Sequence, residues 1–176
     1  MAELKNDMMK HLFTFLIFLL AGIPSFSGAM PGEVSVGDQL RNAPMQGLTG
    51  NSEFLSTYLG KPLIINVWAS YCGPCLAEMG SLERLWQRYG DRFNVIGIST
   101  DDYRNRAEMF LAKAETTFPH YIDRQLMLEK MLGAKTIPLT LLIDAEGRVL
   151  QKVNGAQEWD SPEIIENISQ IYRIDL

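Results

Sequence analysis

Residues 63–78, LIINVWASYCGPCLAE, change character halfway along. Residues 63–67 are mostly apolar and β-branched, a run that suits a buried strand and is too short for a helix. The chain then turns through Ala69, Ser70 and Tyr71 to Cys72-Gly73-Pro74-Cys75. Beyond it Leu76, Met79, Leu82, Leu85, Trp86 and Tyr89 recur at helical spacings. Pro74 falls in the first turn of that helix, where a missing N–H costs nothing. Cys72 therefore sits at a helix N-terminus, whose positive dipole end favours the thiolate over the thiol.

Two cysteines at this spacing suit disulfide exchange. One thiolate attacks a foreign disulfide, and the second must be near enough to displace the product. We read Cys72 as the attacker and Cys75 as the resolver, because Cys75 lies one turn inside the helix and is the more covered. A purely structural disulfide closing so small a loop would remove little entropy from the unfolded chain. A closed zinc site would need two further ligands. The chain has only these two cysteines, with His11 and His120 as its histidines, so no metal site is expected.

The 176 residues are enough for one domain with a short addition, 47% of them hydrophobic and 21% charged, an ordinary globular balance. A net charge of -5 without a basic cluster argues against a nucleic-acid partner. At the N-terminus Lys5 and Lys10 are cancelled by Glu3 and Asp7, and the apolar run LFTFLIFLLAGI at 12–23 is broken by Pro24. Ser27-Gly28-Ala29 then offers small residues for cleavage. Residues 1–29 thus read as a secretory signal peptide, or else as an uncleaved anchor tethering the protein to the membrane; 30–176 read as a single domain. No cysteine stands near the cleavage point to carry a lipid. Export makes a lone cysteine pair at a helix start look like a tool rather than a staple.

Along the mature chain, residues 30–50 are rich in Gly, Pro and Asn and suggest loops with one short hairpin. Asn51-Ser52 is a candidate cap for a short helix over 53–59. FNVIGIST at 93–100 reads as a second buried strand, 101–114 as a helix, and 125–132 as a short helix ended by Gly133. LTLLID after Thr136-Ile137-Pro138 is a further strand, and 148–153 pairs back on it through the turn at Ala145-Glu146-Gly147. Ser161-Pro162-Glu163 opens a last helix to about Tyr172, with Ile164, Ile165, Ile168 and Ile171 on its buried side. Alternating strands and helices imply βαβ units and a largely parallel sheet. Met109, Met127 and Met131 read as core, and His120 as structural.

From about Asn42 to Tyr172 the chain resembles the thioredoxin fold, an α/β architecture with a central mixed sheet flanked by helices. More narrowly it resembles the exported TlpA/ResA branch of thioredoxin-like reductases. The carriers are NVWASYCGPCLAE and GAKTIPLTLLIDAEGRV. The resemblance implies a redox-active Cys72–Cys75 disulfide faced by a cis Pro138, with Ile137 offering its backbone to an extended client segment. Trp68 and Tyr71 are the aromatic candidates for the client site, Trp68 as core or as a lid over the sulfurs. Thioredoxins proper carry a buried Asp where Asn66 stands. The TlpA/ResA branch instead carries a Glu three residues after the second Cys, which Glu78 matches. Such a carboxylate would raise the thiol pKa values and could shuttle the resolver's proton. Two positions depart from the branch: Tyr71 replaces its Trp before the first Cys, and Gly80 its Pro after the Glu.

The neutral Gly73-Pro74 dipeptide and Glu78 point to a reductant rather than a strong oxidant. The resemblance implies a periplasmic enzyme needing no cofactor beyond its own sulfurs. Its clients would be disulfide-containing exported proteins, apocytochrome c or a related metalloprotein among them, and its electrons would come from a DsbD/CcdA-type membrane thiol carrier. The alternatives are a disulfide oxidase or isomerase, and a Cu(I) or zinc carrier using the two thiolates.

Overall fold

A computed structural model of the chain describes residues 32–176. The proposed signal peptide or anchor, 1–29, lies outside the described residues. Seven strands form one sheet in the order β2-β1-β5-β4-β3-β6-β7. They are β1 Pro44–Gly47, β2 Glu53–Phe54, β3 Leu63–Trp68, β4 Asn94–Ser99, β5 His120–Ile122, β6 Leu139–Ile143 and β7 Val149–Asn154. Four helices join them: α1 Gly73–Tyr89, α2 Arg104–Ala114, α3 Met127–Leu132 and α4 Pro162–Tyr172.

All six residues of β3 are buried, as expected of a strand covered on both faces. Its neighbour β4 runs parallel to it, reached through α1, and β5 runs parallel to β4, reached through α2. Every other pairing is antiparallel, so the sheet is mixed rather than largely parallel. The difference lies in connection length. A short turn can only return the chain antiparallel, as at the β6–β7 hairpin, whereas a parallel neighbour needs a crossover helix. In that hairpin Asp144 Oδ1 accepts from the Glu146 and Arg148 amides, and Gly147 takes φ 92°.

The short helix expected over 53–59 is replaced by β2 and a 3₁₀ turn, Leu55–Tyr58. Ser52 does not cap a helix; its Oγ accepts from the Gly47 amide and closes the β1–β2 hairpin, in which Met45 opposes Glu53. Likewise α2 begins at Arg104 and not at Asp101, because the Asp101 carboxylate is engaged elsewhere. Met131 is core, but Met109 and Met127 are exposed, having fallen on the solvent sides of short helices.

Because side chains alternate along a strand, the sheet divides two cores. On one face Leu63, Ile65, Val67, Ile96, Ile98, Leu139, Leu141 and Ile143 pack under α3 and the N-terminal segment. The other face, with Ile64, Trp68, Val95, Ile122 and Leu142, lies under α1, α2 and α4. There α1 contributes Cys75, Met79, Leu82 and Leu85, and α4 contributes Ile168 and Tyr172. The Tyr172 hydroxyl donates to the Leu63 carbonyl at 2.9 Å, fastening α4 to the start of β3.

Candidate active site

Cys72 is the N-cap of α1, in extended backbone, with Pro74 in the first turn. It is bonded to Cys75 in a disulfide with the Cα atoms 5.3 Å apart. The Cys75 amide donates to Cys72 Sγ at 3.2 Å, one of the free N–H groups of a helix start. In the reduced state the same donor and the helix dipole favour a thiolate at Cys72. Burial differs between the two cysteines: Cys72 is 7% exposed and Cys75 wholly buried. Beside them Tyr71 is 77% exposed and Leu76 stands partly clear of the surface.

The loop that delivers Cys72 is held from below by a residue the sequence reading passed over. Asp101, buried just past β4, accepts from the Ser70 amide at 2.9 Å, from Ser70 Oγ at 2.5 Å and from Ser99 Oγ at 2.8 Å. Three donors on one carboxylate fix the backbone two residues before Cys72. The run Ser99-Thr100-Asp101 after an apolar strand was the available signal.

Glu78, one turn after Cys75, does not point to solvent; it is buried beneath α1. Oε1 accepts from Asn66 Nδ2 at 2.7 Å, and Oε2 accepts from Trp159 Nε1 at 2.9 Å and from the Gln157 amide at 3.2 Å. Burial pushes the Glu78 carboxyl above the usual carboxylate range, while these three donors pull it back. Asn66 also donates to Thr140 Oγ1 at 2.9 Å. Thr140, the one polar residue of β6, opposes Asn66 in register.

Across β3 from Thr140, Asn66 faces Gly97 on β4, and Gly97 faces His120 on β5. A Cβ at Gly97 would lie 2.1 Å from His120 Nδ1 and 2.9 Å from Trp68 Nε1, so only glycine admits these two rings. His120 is buried, with Nε2 2.9 Å from Thr116 Oγ1, and burial pushes its pKa down to about 3. It is neutral at any ordinary pH.

Trp68 is wholly buried and stacked on Phe110 with ring centroids 4.5 Å apart. It is core and presents no surface to a client, because β3 is covered on both faces. The Ile137–Pro138 peptide is cis. Pro138 is buried, and Ile137 is half-buried against the core cluster that contains both cysteines. Among the described residues no group of three or more His, Cys, Asp or Glu side chains is placed to hold a metal.

A cysteine at a helix start, a more deeply covered partner one turn on and a buried carboxylate on the same helix define a thiol–disulfide oxidoreductase of thioredoxin-like fold. The Redoxin family model matches residues 24–168, and the chain belongs to that family. Similar proteins include thiol-disulfide oxidoreductases of the ResA type. Thiol-disulfide oxidoreductase ResA of Bacillus thuringiensis subsp. konkukian is 27% identical over 157 residues, covering 87% of this chain and 91% of the relative. ResA of Geobacillus kaustophilus is 30% identical over 123 residues, covering 69% of this chain and 71% of the relative. Among solved structures, a Chlorobium tepidum protein assigned as the thiol:disulfide interchange protein DsbE superposes with a TM-score of 0.72 at 26% identity. That match covers 79% of this chain and 99% of the other.

Proposed function

We propose that the protein is an exported reductase of client disulfides, working with Cys72 as nucleophile, Cys75 as resolver and Glu78 as proton acceptor. The observation that carries this reading is the unequal burial of two cysteines at one helix start, with a buried carboxylate one turn after the fully covered one. The Cys72 thiolate attacks one sulfur of a client disulfide; that S–S bond breaks, its electron pair leaves on the second client sulfur, and a Cys72–client disulfide forms. Cys75 gives its proton to Glu78 and attacks Cys72 Sγ. The Cys72–client bond breaks, and the client sulfur first attacked departs as the other thiolate. Both client thiolates take up protons from solvent, Glu78 returns its proton to solvent, and the Cys72–Cys75 disulfide remains. Two electrons have passed from the dithiol to the client. Ile137 offers its backbone to the extended client chain, and Tyr71 flanks the attacked sulfur.

The apolar run at 12–23 supports export to the periplasm, whether the leader is cleaved or kept as a tether. The ResA-type resemblance supports disulfide-bearing exported proteins, apocytochrome c among them, as clients, and a DsbD/CcdA-type membrane thiol carrier as electron donor. The neutral Gly73-Pro74 dipeptide supports the reducing direction.

Two measurements test this. The Cys75→Ala protein accumulates mixed disulfides on Cys72 that resist release, identified by mass spectrometry. The equilibrium potential of the Cys72–Cys75 couple falls below that of the glutathione couple; a value well above it turns the assignment to an oxidase or isomerase.

A further inference from the structure

The loop between β7 and α4 touches both halves of the site. At its start the Gly155 amide donates to the Pro138 carbonyl at 2.9 Å. Further along, the Gln157 amide and Trp159 Nε1 both reach Glu78 Oε2. The Trp159 amide donates to Ser81 Oγ at 3.0 Å, and Ser81 Oγ lies 3.3 Å from the Gln157 carbonyl. Arg84 pairs with Glu158 and with Asp160, each at 2.6 Å. Glu78, Ser81 and Arg84 recur every three residues, so the loop grips one stripe of the redox helix.

Trp159 is only 2% exposed, and shape alone would be served by another large ring. Its nitrogen argues for more. The other wholly buried tryptophan on this face, Trp68, leaves its Nε1 without a hydrogen-bond partner among the described residues. An indole N–H can donate but never accept, so aiming it at a carboxylate favours the charged carboxylate over the acid.

We propose that Trp159 is a positioning residue of the redox reaction, holding the Glu78 carboxylate ionised beneath the redox helix so that it can take the proton of Cys75. The proposal rests on the reading of Glu78 as that proton's acceptor. The groups around Glu78 leave the task to this loop. On α1 the group one turn before it is Cys75. From β3 and β6 come the uncharged Asn66 and Thr140; His120 on β5, two strands from Asn66 in the sheet, is neutral. Lys152 of β7 pairs with Glu33 and is turned to the other face of the sheet. Glu158 and Asp160 face Arg84, and Glu163 of α4 lines the small cavity shared with Trp159.

The test is Trp159→Phe in the full chain, which keeps a ring and removes the donor. In the reduced protein, the Glu78 carboxyl followed by ¹³C NMR titrates about one pH unit higher than in wild type. The acid limb of the pH profile for release of client from the mixed disulfide moves up by the same amount. In a Glu78→Gln background Trp159→Phe moves that profile no further. An unchanged Glu78 midpoint in Trp159→Phe overturns the proposal, as does an equal displacement of the profile in the Glu78→Gln background. If Glu78→Gln alone leaves the profile where it was, the reading of Glu78 as acceptor fails, whatever Trp159 does to the Glu78 midpoint. Should Trp159→Phe not fold, the wild-type indole N–H resonance decides. It follows the Glu78 titration if the hold is real, and a flat resonance overturns it.

Discussion

The two faces of the central sheet are built from alternate residues of the same strands, yet they obey different rules. On β3, Ile65 and Val67 point into a mostly aliphatic face, while Asn66 between them points into the other. On β6, Leu139 and Leu141 share that aliphatic face, and Thr140 between them bonds to Asn66. The aliphatic face gains from each side chain taken out of water, about 1.5–3 kcal/mol for a full-sized one. The opposite face gives up some of that gain to bury Asn66, Thr140, Glu78 and His120. A buried polar group stabilises nothing unless it is fully bonded. Asn66 Oδ1 and His120 Nδ1 find no partner among the described residues, so stability does not account for these polar side chains.

That contrast can be broken most severely on the aliphatic side. Ile65→Ala should cost about 3 kcal/mol by denaturant unfolding, since the site is wholly enclosed, and should leave the pH profile of Cys72 alkylation in place. A displaced profile would mean the faces are not separable.

On the polar side the expected pattern is the reverse. Glu78→Gln should slow resolution of the mixed disulfide by about a hundredfold at neutral pH, read by stopped flow. It should also stabilise the fold there. The folded pKa of Glu78 is raised, so its contribution is present below the unfolded carboxylate pKa and is lost as pH rises through the folded value. A neutral isostere escapes that loss, and the gap in thermal stability between variant and wild type should close in acid.

His120 has the opposite sign. With its folded pKa at about 3, the unfolded chain takes up a proton that the folded chain refuses. Its part of the stability therefore falls as pH drops from the ordinary imidazole value towards 3, by up to about 1.4 kcal/mol per unit. His120→Gln should flatten that limb of the stability–pH curve. The smallest effect belongs to Arg84→Ala, whose ion pairs lie at the surface. It should loosen the loop only slightly, and the difference should vanish in high salt.

Much of the fold could be read from the chain because its signals are local. The apolar run ending at the cysteines, the helical recurrence from Leu76 to Tyr89, the turn at Gly147 and the Ser161-Pro162 helix start each depend on near neighbours. The hairpin at Glu53 was missed because Asn51-Ser52 suits a cap as well as a turn, and only pairing with β1 chose between them. Met109 and Met127 went astray for a like reason, since periodicity says which residues share a side and not what covers it.

The sequence by itself determined that one cysteine would stand at a helix start with a second one turn inside, because helix periodicity and proline placement act over a few residues. Only the tertiary structure decided what lies beneath them. Glu78 meets Trp159 across 81 positions of chain, Asn66 meets Thr140 across 74, and Ser70 meets Asp101 across 31. Such partners are chosen by strand register and by where a loop returns, and no local pattern carries that information.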